Sequence, residues 1–285
     1  MNAQEFHANR KFAETSFGKI AWVERGAGPA ALFIHGFPLN GFQWRDIADD
    51  LQNDRRCLMP DLMGQGYTEA AVGTDRSFAG QARMLAAFLD TVKADTVDLI
   101  GNDTGAGISQ MLATMYPARV RTWTLTNCEV HNLWPNPMLE QLLDGFESGM
   151  ALAGLKMMVA DINIARQQFA SAYENPAAIT EATVKTYLEP LLHGDSQAKT
   201  GYGWRANREQ LVSIAPKLNA NKIPVQAVWA EADTAFDRDA SLKWLRENLG
   251  GLKKITPVPR AKLFFPEEHP KLVSVMLREF WKSAA

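Results

Sequence analysis

The chain has 285 residues, 46% of them hydrophobic and 22% charged, with a formal charge of −2, enough material for one large domain or a core domain carrying an insertion. So small a net charge offers no electrostatic footprint for nucleic acid or an anionic membrane, and the expected partner is a small-molecule substrate. No apolar run approaches the ~20 residues of a membrane span, residues 1–15 lack the apolar region of a secretory signal, and Cys57 and Cys128 sit in apolar stretches as free thiols would, so a cytoplasmic protein is expected.

Residues 17–25, 30–34 and 56–59 read as strands, the later two as continuous apolar runs of a sheet covered on both faces. Residues 41–51 and 78–92 carry apolar side chains at helical spacing, among them Phe78, Met84, Leu85, Phe88 and Leu89. The apolar run 96–100 is a further strand. It runs into Gly101-Asn102-Asp103-Thr104-Gly105 and then into a helix-like stretch, 106–116. A strand, a tight turn flanked by glycines and a helix is the pattern of a nucleophile elbow, here with an aspartate in the attacking position. Read as a glycosylation signal, Asn102-Asp103-Thr104 is a coincidence.

Residues 121–127 form the next strand. From about His131 to Ala215 the alternation stops, and a helical stretch rich in Met, Leu and Ala, broken by Pro135, Pro137, Pro176 and Pro190, reads as an inserted cap. Alternation resumes with a strand at 224–230, a helix at 237–249, a strand at 253–257 and a closing helix at 270–282 with proline in its first turn. The expected organisation is a core of residues 1–131 and 216–285 with a helical cap at 132–215. Strands alternating with helices imply a doubly wound, mostly parallel sheet.

His35-Gly36-Phe37-Pro38, Asp61-Leu62-Met63-Gly64-Gln65-Gly66, the elbow at Asp103 and Trp229-Ala230-Glu231-Ala232-Asp233, in this order, resemble the α/β-hydrolase fold over essentially the whole chain. With an aspartate at the elbow the chain resembles the branch of epoxide hydrolases and haloalkane dehalogenases. The resemblance implies that the carboxylate displaces a leaving group to give an alkyl ester, which a histidine-activated water then hydrolyses without any cofactor or metal. It also implies an oxyanion hole of the Phe37 and Thr104 backbone N–H groups. His35 would support that turn at the substrate-binding edge. A competing reading makes Asp103 only the N-cap of the following helix.

The sequence departs from the pattern at one decisive place. The resemblance puts the catalytic histidine at Leu263, while His269 stands at the entrance of the last helix. Glu129 matches the position of the triad acid in some dehalogenases, and His131, two residues on, is a candidate base; Asp233 occupies the alternative acid position. Trp134 begins the cap as a candidate substrate contact.

The halide-binding Trp or Asn of haloalkane dehalogenases is absent, since Phe37 and Thr104 stand at those positions, and so is the arginine that follows the aspartate in fluoroacetate dehalogenases. Epoxide hydrolases use cap tyrosines as proton donors; Tyr173, Tyr187 and Tyr202 qualify, Tyr187 first. Met150, Met157 and Met158 are candidate pocket linings. The leading expectation is Asp103 as nucleophile on a small uncharged electrophile, an epoxide or a halide, with a non-standard base. Two alternatives stay open: Asp103 as general base of a lyase or isomerase, and a non-catalytic ligand-binding member of the fold. Oligomeric state is also open, a homodimer included.

Overall fold

The computed structural model describes residues 1–135, 137–194, 196 and 204–284, the side chains of 137 and 138 excepted, so Tyr202 lies outside the described residues. Its centre is one sheet of nine strands: β1 (Lys11–Thr15), β2 (Gly18–Arg25), β3 (Ala30–Ile34), β4 (Arg56–Pro60), β5 (Glu69–Ala70), β6 (Val97–Asn102), β7 (Val120–Thr126), β8 (Val225–Ala230) and β9 (Leu252–Val258). The order is β1-β2-β4-β3-β6-β7-β8-β9, with β5 beside β2. Every pairing from β4 to β9 is parallel, and β2 is antiparallel to β1, β4 and β5. This is the doubly wound, mostly parallel sheet that the alternation of elements implied.

All residues of β3, β6 and β8 are buried, which is why their sequences are mostly apolar rather than alternating, with Asp98, Asn102 and Gln226 as buried polar exceptions. Helices α2 (Arg45–Leu51), α3 (Phe78–Thr91) and α4 (Thr104–Met115) cover the sheet together with Arg238–Asn248 and Pro270–Ala284. The stretch 41–51, expected as one helix, is a 3-10 turn at Gly41–Trp44, capped by Asn40, followed by α2. Strand β1 escaped the sequence reading because only Ala13 of its five residues is buried, so it carries almost no hydrophobic pattern.

Between β7 and β8 the chain is helical: a 3-10 turn at His131–Leu133, then α5 (Pro137–Glu147), α6 (Met150–Ala160), α7 (Ile162–Phe169) and α8 (Glu181–Leu192), with α6 packed on the other three. The next helix, Asn207–Ala220, runs unbroken through residue 215 and packs on α3 and α4. Asn207 Oδ1 accepts from the Phe78 N–H and Gln210 Oε1 from the Ala79 N–H, so this helix also caps α3. The expected division at 215 therefore falls inside a helix that rests on the sheet layer. Among the described residues no helix is long and apolar enough to cross a membrane, and both cysteines are buried and free.

Register places the function-bearing turns together. Ile34 lies beside Gly101, Asn102 beside Thr126, Thr126 beside Val228, and Ala230 beside Val258. The segments that follow these strands therefore open on one edge of the sheet, the carboxyl edge where open α/β sheets bind ligands.

Candidate active site

Asp103 follows β6 with φ 54° and ψ −131°, a conformation that costs a non-glycine residue of order 1–3 kcal/mol and persists only where the surroundings hold it. Two glycines make the turn possible. A Cβ on Gly105 would stand 2.3 Å from the Ile34 carbonyl oxygen, and one on Gly101 would stand 2.7 Å from Ala106 Cα, so neither position admits a side chain without moving α4. The Asp103 N–H donates to the Asn127 carbonyl at 2.9 Å, tying the elbow to the end of β7.

Asp103 occupies the N-cap position of α4, yet its side chain makes no capping bond. The Phe37 N–H donates to Asp103 Oδ2 at 2.8 Å instead. Gly36 permits that approach, because a Cβ there would sit 2.6 Å from the same oxygen. Burial pushes the Asp103 carboxyl up to about 7; the Phe37 and Thr104 N–H groups pull against this, and the Asp233 carboxylate adds to it.

A network of buried amides holds the elbow from behind. Gln43 Oε1 accepts from the Gly36 N–H at 3.1 Å, and Gln43 Nε2 donates to Asn102 Oδ1 at 2.7 Å. Asn102 Nδ2 in turn donates to Thr126 Oγ1 at 2.8 Å and to the Leu263 carbonyl at 3.0 Å. Sequence reasoning assigned Gln43 and Asn102 no role. The only available signal was their polarity inside otherwise apolar stretches.

Asp103 opens into a cavity of about 410 Å³, a size suited to a small organic molecule. Phe37, Thr104 and Glu129 line it beside Asp103; Leu142, Leu155, Met158, Phe169, Trp204, Phe236, Leu263 and Phe264 form apolar walls; and the exposed Gln141, Gln168 and Ser171 complete it. Of these, Trp204, Phe236 and Phe264 carried no sequence signal, since isolated aromatics read as core. Met158 is part of the lining, whereas Met150 and Met157 are exposed and are not.

Glu129 is buried, and its Oε2 has no hydrogen-bond partner. Burial raises its carboxyl well above the usual range, and the neighbouring Asp103 and, more weakly, Asp233 raise it further. Thr104 Oγ1 is likewise buried without a partner.

The remaining sequence-predicted residues lie away from the cavity lining. His131 adopts φ 43° and stacks on Trp244 at 5.6 Å, with Nδ1 3.1 Å from Asn132 Oδ1. Asp233 accepts from Asn127 Nδ2 at 2.7 Å and from the Ala235 N–H at 2.9 Å, so it braces the loop after β8. His35 is fully buried; its Nε2 accepts from the Leu62 N–H at 3.0 Å, so Nδ1 carries the proton and donates to the Gly36 carbonyl at 2.9 Å. Burial lowers His35 to about 4, and the ring is a neutral brace of the Phe37 turn. Trp134 donates from Nε1 to the Trp204 carbonyl at 3.1 Å and backs the wall that Trp204 presents.

Tyr187 and Tyr173 belong to a different cluster. Arg45 Nη1 stands 3.5 Å from the Tyr187 hydroxyl and 2.6 Å from Glu267, to which the Tyr173 hydroxyl also donates at 2.6 Å. His269 pairs with Glu174 at 3.0 Å beside this cluster. Among the described residues no three of His, Cys, Asp or Glu are grouped to hold a metal ion.

Residues 29–256 match the family model described as alpha/beta hydrolase fold. Among curated proteins, haloalkane dehalogenase 2 of Mycobacterium bovis is 25% identical over 273 residues, 94% of this chain and 93% of that protein. Epoxide hydrolase 2 of Siraitia grosvenorii is 35% identical over 128 residues, 43% of this chain and 39% of that protein. Among solved structures, the ligand-free epoxide hydrolase CorEH superposes with a TM-score of 0.79 at 20% identity, covering 97% of this chain and 99% of that one.

Proposed function

The chain belongs to the alpha/beta hydrolase fold family, and from that premise we propose that it is a hydrolase in which Asp103 attacks a small uncharged electrophile, an epoxide or an alkyl halide. The observation that carries this reading is the Phe37 N–H on Asp103 Oδ2 at the floor of an apolar cavity. With Oδ2 held, Oδ1 is the attacking atom. Attack at an sp³ carbon gives an alkyl ester of Asp103, and the Phe37 N–H that steadies Oδ2 is then placed for the oxyanion formed when water adds to that ester. The similarity to a haloalkane dehalogenase and to epoxide hydrolases supports the same chemistry.

Among the described residues no histidine lines the cavity. Ester hydrolysis therefore falls to another group.

Turnover of a panel of terminal epoxides and primary alkyl bromides in H₂¹⁸O, followed by peptide mass spectrometry, tests the reading. Either an alkyl adduct or ¹⁸O is expected in the peptide bearing Asp103, because water attacks the ester at the protein's own carboxyl carbon. Substrate turnover that persists in Asp103→Asn would overturn it. The elevated Asp103 carboxyl favours one second reading, proton abstraction by Asp103 as a general base. That reaction would exchange substrate hydrogen for solvent deuterium while leaving Asp103 unlabelled.

A further inference from the structure

Among the described residues the cavity lining contains two ionisable side chains, Asp103 and Glu129, and no cationic one. Two carboxyls facing one apolar space cannot both be charged, so they share a proton near neutral pH. The fixed donors decide which of them keeps it. The Phe37 and Thr104 N–H groups and the N-terminus of α4 all serve Asp103, whereas the Glu129 carboxyl is served by its own backbone N–H and its Oε2 is buried without a partner. The charge settles on Asp103 and the proton on Glu129.

We propose that Glu129 is the general acid and then the general base of the reaction, and that the substrate is an epoxide. The inference rests on Asp103 as nucleophile. In the first step Asp103 Oδ1 bonds to an epoxide carbon, the carbon–oxygen bond breaks, and its electron pair takes the proton from the Glu129 carboxyl. Asp103 is now a neutral ester and Glu129 a carboxylate. In the second step Glu129 removes a proton from water as the water oxygen bonds to the ester carbonyl carbon. The tetrahedral oxyanion lies at the Phe37 and Thr104 N–H groups. Its collapse breaks the ester bond, and the departing alkoxide takes the proton of the regenerated Asp103 carboxyl. The sum is epoxide plus water to a vicinal diol, with both carboxyls returned to their starting states.

This cycle needs neither a cap tyrosine nor a histidine, and among the described residues neither lines the cavity. It also separates the two electrophiles. An alkoxide must be protonated as it leaves, whereas a halide needs no acid, so a neutral carboxyl beside the nucleophile is of use only to an oxygen leaving group. Cys128 and Asp233 are the other ionisable groups near the pair, Asp233 being held by Asn127.

Glu129→Gln keeps the shape and removes both proton transfers, and Glu129→Asp keeps a carboxyl as the control for folding. With a primary alkyl bromide, whose departure needs no acid, Glu129→Gln should be alkylated at Asp103 within about 3-fold of the wild-type rate. The ester should then decay about 100-fold or more slowly, within the usual range of general acid–base catalysis. With a terminal epoxide, adduct formation itself should slow about 100-fold, and Glu129→Asp should recover part of both steps. Ester formation from the epoxide and ester decay at wild-type rates in Glu129→Gln would overturn the role of Glu129 and leave Asp103 standing. Absence of both adduct and ¹⁸O at Asp103 in the wild type, with either probe, would overturn the nucleophile and Glu129 with it.

Discussion

The side-chain amide of Asn102 donates to the main-chain oxygen of Leu263 at 3.0 Å, so the residue immediately before Asp103 holds the loop in which the sequence resemblance placed a catalytic histidine. The Leu263 side chain lines the same cavity as Asp103. The backbone of that position is thus kept beside the elbow, with an aliphatic group where an imidazole would stand.

A histidine restored there should act. Leu263→His is expected to raise the rate of ester hydrolysis about 10²-fold, followed as loss of the alkyl adduct by intact-protein mass spectrometry. Placing an imidazole at a buried apolar site should cost about 1–3 kcal/mol of stability. Unchanged adduct decay in a folded Leu263→His protein would mean that this loop does not address the ester.

Asp103 sets a pH dependence of stability. Its folded value of about 7 lies above the usual 3.8, so the folded state keeps a proton that the unfolded chain has released. That stabilisation is complete below pH 4 and is lost as pH rises through 7, on the order of 4 kcal/mol in all. Urea unfolding at pH 5 and pH 8.5 should show Asp103→Asn gaining on the wild type as pH rises, to become the more stable protein at pH 8.5. Activity with epoxides should fall at least 10³-fold in the same variant.

His35 works in the opposite sense. Its folded value of about 4 lies below the usual 6.5, so the unfolded chain takes up a proton that the folded state refuses. About 3 kcal/mol should be lost as the pH falls from 6.5 to 4. His35→Gln should lack this slope, while a lost hydrogen bond at the Phe37 turn lowers its stability at pH 7 by about 1 kcal/mol. Denaturation midpoints of the two proteins across pH 4–7 provide the measurement.

The glycines at the elbow bear on both folding and chemistry. At Gly105 the added carbon meets the Ile34 carbonyl oxygen, which is backbone, so Gly105→Ala must push α4 off β3 and should cost about 3 kcal/mol. At Gly36 it meets Asp103 itself, Oδ2 at 2.6 Å and Cβ at 2.7 Å, and the Cβ is fixed to the elbow backbone. Gly36→Ala must therefore shift the elbow, and should lose most of its Asp103 alkylation as well as about 1–3 kcal/mol of stability, read by intact-protein mass spectrometry and urea unfolding.

Much of the sheet was legible because its central strands are buried on both faces and its helices on one, which leaves unmistakable apolar runs and periods. The turn at Asp103 was legible for a related reason: only glycines fit beside it, and glycines can be read directly. The edge strand Lys11–Thr15 and the helix Asn207–Ala220 were harder, since one buries a single residue and the other supports the core from within a stretch that reads as cap.

Local chemistry written along the chain determined the order of strands and helices, the insertion after β7 and the placing of a carboxylate at the elbow. Each depends on a residue's own backbone preference and its near neighbours. What faces that carboxylate is set by contacts between segments far apart in the chain, such as Asn102 with Leu263 and Phe37 with Asp103. The tertiary structure alone decided that Glu129 turns into the cavity while His131, two residues on, lies flat on Trp244. Neighbours in sequence can point to different surroundings once the chain bends, and a left-handed backbone at His131 is such a bend.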